Sequence, residues 1–169
     1  MGLIDRRNRV AHTETWPNRE AAAEERFQDA LLLSLSGGRE GGAIYLFGYV
    51  AEILLKTAYS RYAGKGSGEL PFDFLKADMA QGSMGATRSG RVDLHSLAGL
   101  CEFLIDARAA QSQRMASSTE GLLRSHIAVI ESHWNVRMRY SAFPATVGEM
   151  RDTYQSTSWI RTNYDDLWR

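Results

Sequence analysis

The sequence predicts an all-α fold, an antiparallel bundle of about five helices. Three observations carry that prediction. Apolar residues recur at spacings of three and four in five separate stretches, the period of a helix with one buried face. Only Pro17, Pro71 and Pro144 occur, and none interrupts a long apolar segment, so long helices are permitted. No stretch reads as a strand pair, and nothing repeats at a fixed period.

Residues 1–16 are polar, Arg-rich and aperiodic, which predicts a loosely held arm, with the bundle occupying 17–169. A first helix is expected over about 18–36. Asn18 is its cap, Glu20 and Glu24 lie near its positive end, Phe27, Leu31 and Leu35 share one face, and Gly37-Gly38 stops it. The second, about 42–63, is apolar over most of its circumference and is expected at the centre of the bundle. Leu46, Val50, Ile53, Leu54 and Thr57 form one face, and a narrow opposite stripe holds Tyr45, Tyr49, Glu52, Lys56 and Tyr59. Residues 64–94 are rich in Gly and Ser, with a short helix expected around 72–80; such a long connection is unusual inside a compact domain. A third helix follows over about 95–112, capped by Asp93 or His95, with Leu97, Leu100, Cys101, Leu104 and Ile105 inward. The fourth, about 118–138 and started by Ser118 or Thr119, carries Leu123, Ile127, Ile130, Trp134 and Met138 in one stripe. The fifth, about 145–168, places Met150, Tyr154, Ile160, Tyr164, Leu167 and Trp168 on one side.

Composition narrows the function classes. At 169 residues the chain fits one domain able to bury most of the surface that its unfolded form exposes. Its 20 basic and 20 acidic residues balance, which argues against a broad phosphate-binding surface while leaving room for a local patch. The basic residues are arginine except Lys56, Lys65 and Lys76. Cys101, the lone cysteine, reads as a buried small hydrophobe. No apolar run approaches a membrane span, and the N-terminus has neither a signal-peptide core nor a myristoylation pattern, so a cytoplasmic setting without membrane contact is expected.

The chemistry-bearing residues are few. A carboxylate at position 52 on a central helix needs a partner, and Lys56 one turn on or an arginine from another helix supplies one. An i,i+4 Glu–Lys pair is also routine helix support. His126 and His133 stand seven residues apart, roughly 10 Å along the axis, too far to share a metal. Gly64-Lys65-Gly66-Ser67 lacks the leading glycine of a phosphate loop. No zinc spacing or nucleophile–base arrangement can be assembled, and neither metal nor cofactor is expected. Arg137, Arg139 and Arg151 near Tyr140 form a candidate patch to hold a phosphate and stack a base. Internal salt bridges to Glu52 and Glu149 are the alternative use of those arginines.

Taken in order, GYVAEILLK at 48–56, HSL at 95–97, and Trp134 followed by Arg139-Tyr140 resemble the pattern of HEPN-domain proteins. These are helical modules of prokaryotic toxin–antitoxin, nucleotidyltransferase-linked and antiviral defence systems. The resemblance covers the core from about 40 to 168. It implies that Glu52 and Lys56 are the polar pair of helix two, His95 the entry to helix three, and Arg139-Tyr140 the late motif. It also implies a buried contact from Glu52 to Arg139 or Arg137, and dimerisation through a helix face. HEPN ribonucleases are metal-independent and carry an Arg-x4–6-His element on a late helix. Here residues 140–146 contain no histidine; that spacing fits elsewhere from Arg7 to His12 and from Arg88 to His95.

The expected function is therefore a non-catalytic or degenerate HEPN-like module, binding through Glu52, Lys56, His95, Arg137, Arg139 and Tyr140. Its partner is a protein, a nucleotide or RNA in a defence or toxin–antitoxin setting. Two alternatives stand beside it: a ribonuclease in which His95 or His133 serves Arg139, and a purely structural subunit. Tyr45, Tyr49 and Tyr59 on helix two and Trp159 on the polar side of helix five are expected as anchors of a homodimer or partner interface.

Overall fold

The computed structural model describes residues 15–64, 75, 77–79, 93–140 and 144–169. Among these, all regular structure is helical. Residues 1–14 of the expected arm, five residues of the expected 72–80 helix, residues 65–67 of the Gly-Lys-Gly-Ser segment and the arginines of the Arg-to-His spacings lie outside them, while residues 75 and 77–79 are helical and Trp16 already belongs to the first helix. The elements are α1 (Trp16–Ser34), α2 (Glu40–Tyr62), α3 (Leu97–Ala110), α4 (Ser117–His133), a 3-10 turn (Val136–Tyr140), α5 (Val147–Thr162) and the short α6 (Tyr164–Trp168). The protein is the helical bundle that the periodicity predicts.

Helix α2 is its axis. Fourteen of its 23 residues are buried, from Ala43 to Ser60, and they include the charged Glu52 and Lys56. Around it α1 contributes Phe27 and Ala30, α3 Leu97 and Leu104, α4 Leu123, Ile127 and Ile130, and α5 Ile160. Leu75 and Met79, from the connection between α2 and α3, also sit in this core.

Side-chain pairings give the directions. Glu20 at the start of α1 reaches Arg61 at the end of α2 at 3.1 Å, so these two run antiparallel. Glu131 near the end of α4 accepts from the Ala98 amide at the start of α3, and His126 and His133 of α4 face Ser156 and Glu149 of α5. Those pairs are antiparallel as well. Helices α2 and α3 differ: Glu52 faces His95, Tyr59 packs on Phe103 with ring centroids 4.7 Å apart, and Tyr62 donates to the Ala107 carbonyl. They run parallel. A parallel neighbour demands a connection that runs back from Tyr62 to the level of Glu52, roughly 15 Å, so no tight turn can join α2 to α3.

The helix ends differ from expectation in instructive ways. Thr15, not Asn18, caps α1, its hydroxyl accepting from the Asn18 amide, because Pro17 sits where its missing N–H leaves nothing unsatisfied. Ser96 caps α3 by accepting from the Gly99 amide, while Asp93 accepts from the His95 amide. Helix α4 starts after Ala116 with no side-chain cap and ends at His133, five residues early, where Trp134 turns extended (φ −122°, ψ 140°). Helix α5 opens with a capping box between Thr146 and Glu149. Its inner face holds Thr153, Ser156, Thr157 and Ile160, whereas Tyr154, expected inside, is 37% exposed. Small side chains there let α5 approach α2 closely, with the Thr157 hydroxyl donating to the Phe47 carbonyl. Cys101 is buried as expected. No described helix is long and apolar enough to cross a membrane.

Candidate binding site

The fold gathers several of the singled-out residues at one corner, where the middle of α2, the entry to α3 and the 3-10 turn meet. Gly48 is what lets the turn arrive. The Trp134 ring lies over its Cα, and a Cβ there would overlap Cγ, Cδ1 and Cδ2 of the indole. Trp134 is 3% exposed and its Nε1 donates to the Tyr45 carbonyl at 3.1 Å, which anchors the chain just before Arg137 and Arg139.

One turn further along α2, Glu52 and Lys56 are buried together. Lys56 Nζ donates to Glu52 Oε1 at 2.6 Å, and both side chains are about nineteen-twentieths enclosed. The same oxygen lies 3.1 Å from His95 Nδ1. Glu52 Oε2 is enclosed and has no hydrogen-bond partner among the described residues. The His95 side chain is 43% exposed. The carboxylate thus faces the protein, and the imidazole it touches faces solvent.

That arrangement corrects one expectation. Glu52 pairs with Lys56 and His95, not with an arginine of 137–139. The cause is the early end of α4: the extended Trp134 and the 3-10 turn leave Arg137 and Arg139 exposed, and Arg139 Nε donates to the Val136 carbonyl at 3.2 Å. Arg139 still contributes to the corner. Burial pushes the Tyr49 phenol up, the Glu52 carboxylate and Tyr45 add to this, and the positive fields of Arg26 and Arg139 act the other way. Tyr45 and Tyr49 are half-buried and stack with ring centroids 6.3 Å apart and planes 8° from parallel. For Tyr140 only the backbone is described, as the end of the turn.

Two of the four expected interface aromatics are used inside the chain. Tyr59 is 7% exposed, packs on Phe103 and donates to Asp78 Oδ2 at 2.8 Å. Burial and that carboxylate together hold its phenol far above the usual range. Trp159 stacks on His126 of α4, centroids 4.7 Å apart, and is half-buried. Desolvation in turn lowers the His126 pKa. His133, the other alternative base, points to Glu149 on α5 at 3.9 Å. No group of three or more metal-ligating side chains is found among the described residues.

A second feature has no counterpart in the helical periodicity. A cavity of about 160 Å³ opens between α1, α2, α5 and α6, floored by Ala23, Val50 and Leu54 and rimmed by Glu20, Glu24, Arg161 and Tyr164. Its charges are spoken for. Arg161 grips Glu24 with two bonds of 2.6 and 3.0 Å, and Glu20 Oε1 accepts from Tyr164 at 3.0 Å beside Arg61. Which of two neighbouring helices a rim residue meets depends on packing, and periodicity carries no information about that.

No family model matches the chain, and neither a curated protein nor a solved structure is significantly similar to it.

Proposed function

We propose that the chain is a HEPN-like helical module that binds a phosphate-bearing ligand, an RNA strand or a nucleotide, at the corner of Tyr49, Glu52, Lys56, His95 and Arg139, without cleaving it efficiently. One observation carries this reading: a buried carboxylate–ammonium pair supports an exposed histidine, one turn from a stacked tyrosine pair whose Tyr49 lies in the field of the exposed Arg139. Arginine suits phosphate oxygens and tyrosine a base, and both work locally on a chain of zero net charge. Transesterification needs a base for the attacking hydroxyl and an acid for the leaving oxygen. Of the two titratable side chains held by Glu52, His95 faces solvent and Lys56 is enclosed, which favours binding over turnover.

The ribonuclease reading draws on the same geometry, because a ring nitrogen backed by a buried carboxylate is a plausible proton acceptor. One experiment separates the two. A fluorescein-labelled single-stranded RNA of mixed sequence is titrated with the protein and then followed for cleavage. Binding that weakens about tenfold in Arg139→Ala and His95→Ala, with intact RNA, supports the binding module. Cleavage that disappears in His95→Ala supports the ribonuclease. No binding of RNA or of mononucleotides overturns both. The same reading includes self-association or docking of a defence-system partner protein, with Tyr45 and Tyr49 as the remaining aromatic candidates.

A further inference from the structure

We infer that Glu52 is the positioning residue of this corner and acts through His95: it holds the neutral ring as the Nδ1–H tautomer and leaves Nε2 as a hydrogen-bond acceptor facing the ligand. This deepens the proposed function and rests on it for the identity of the ligand, but not for the state of the ring.

The argument starts from the carboxylate. Glu52 is 4% exposed and its Oε1 lies 3.1 Å from His95 Nδ1 and 2.6 Å from Lys56 Nζ. A carboxylate has no proton to give at neutral pH, so the nitrogen facing it must be the donor. Which ring nitrogen carries the proton is set by the bond the other one makes. With Oε2 unpartnered among the described residues, the two donors on Oε1 are what satisfies this buried charge. Releasing the ring would leave the carboxylate with still less, which fixes the ring as well as the tautomer.

Lys56 has a part in this. Its ammonium donates to the same oxygen and offsets the carboxylate's charge in a buried place. The main chain of His95 is held as well, since its amide donates to Asp93 Oδ1 at 2.9 Å, one residue ahead of the Ser96 cap of α3. The outward face of the ring then presents an acceptor, which a ligand meets with a hydroxyl or amino donor.

The test uses the full chain labelled with ¹⁵N and a variant, Glu52→Leu with Lys56→Met, that removes the pair together so that no charge is left buried alone. Long-range ¹H–¹⁵N spectra of the ligand-free protein should show His95 Nδ1 as the protonated, pyrrole-type nitrogen and Nε2 as the bare, pyridine-type one. In the double variant that preference should be lost. With the labelled RNA, the double variant should bind about tenfold more weakly, and adding it to His95→Ala should cause no further loss. A wild-type ring protonated on Nε2, an unchanged ring in a folded double variant, or a further tenfold loss on top of His95→Ala would each overturn the inference. If the wild-type chain binds no RNA, the proposed function fails and the tautomer comparison alone decides this inference.

Discussion

Replacing Gly48 by alanine adds one methyl group where α2 and the Trp134 ring come together. The new Cβ would fall within the indole of Trp134, a side chain 3% exposed and tied by its Nε1 to the Tyr45 carbonyl. Overpacking of this kind costs about 1–3 kcal/mol. Breaking the indole hydrogen bond adds about 1 kcal/mol. Alanine in a helix interior returns about 0.5–1 kcal/mol relative to glycine. The net expectation is a loss of about 2 kcal/mol, or about 4–8 °C in melting temperature for a chain of this size. Trp134→Ala alone should lose about 3–5 kcal/mol. In that background the three atoms nearest the new Cβ are gone, and Gly48→Ala should change sign, stabilising by about 0.5–1 kcal/mol. Thermal and urea unfolding of the four proteins measures the cycle. Gly48→Ala that is neutral or stabilising on its own, or equally costly with and without Trp134, would refute the packing argument.

Further expectations concern buried ionisable groups. Lys56→Met alone strands the Glu52 carboxylate and should cost about 3–5 kcal/mol, whereas the paired Glu52→Leu, Lys56→Met change should stay near wild type; urea midpoints compare them. His126 has its folded pKa lowered by desolvation, so the folded state binds fewer protons than the unfolded one. Its contribution is complete above the unfolded value of about 6.5 and is lost as pH falls through the folded value, so His126→Gln should flatten stability between about pH 7 and 5. A variant with the wild-type slope would show that the stacked ring is not the group that titrates. Burial pushes the Cys101 thiol up to about 12, so native protein should resist a disulfide reagent at pH 8 and react on unfolding; prompt stoichiometric labelling would contradict that.

Helix existence was legible because each apolar stripe repeats over two or more turns, and α2 announced its central place by being apolar nearly all round. Ends were not. Helix α4 stops at His133 without glycine or proline, because Trp134 leaves the helix to lie on Gly48, a contact 86 positions away in sequence. The wheel also misplaced aromatics. It put Trp159 on a polar side, but α4 covers that side and His126 stacks there. It put Tyr59 on a surface stripe, but α2 is enclosed on more sides than a single apolar face implies, and Asp78 satisfies the phenol. For α5 it ranked residues by hydrophobicity, whereas close helix approach selected Thr153, Ser156 and Thr157. At the candidate site, Glu52 with Lys56 was readable from spacing alone. The third member, His95, depends on α2 and α3 running parallel, and an intervening stretch of more than thirty residues hides that direction from the sequence.

The most direct test of the proposed site is amide shift mapping of the ¹⁵N-labelled chain on addition of single-stranded RNA, and separately of a mononucleotide. The account predicts shifts that saturate and cluster at residues 48–56, 95–97 and 134–139. Shifts centred instead on Glu20, Glu24, Arg161 and Tyr164, or none with either ligand, would contradict it.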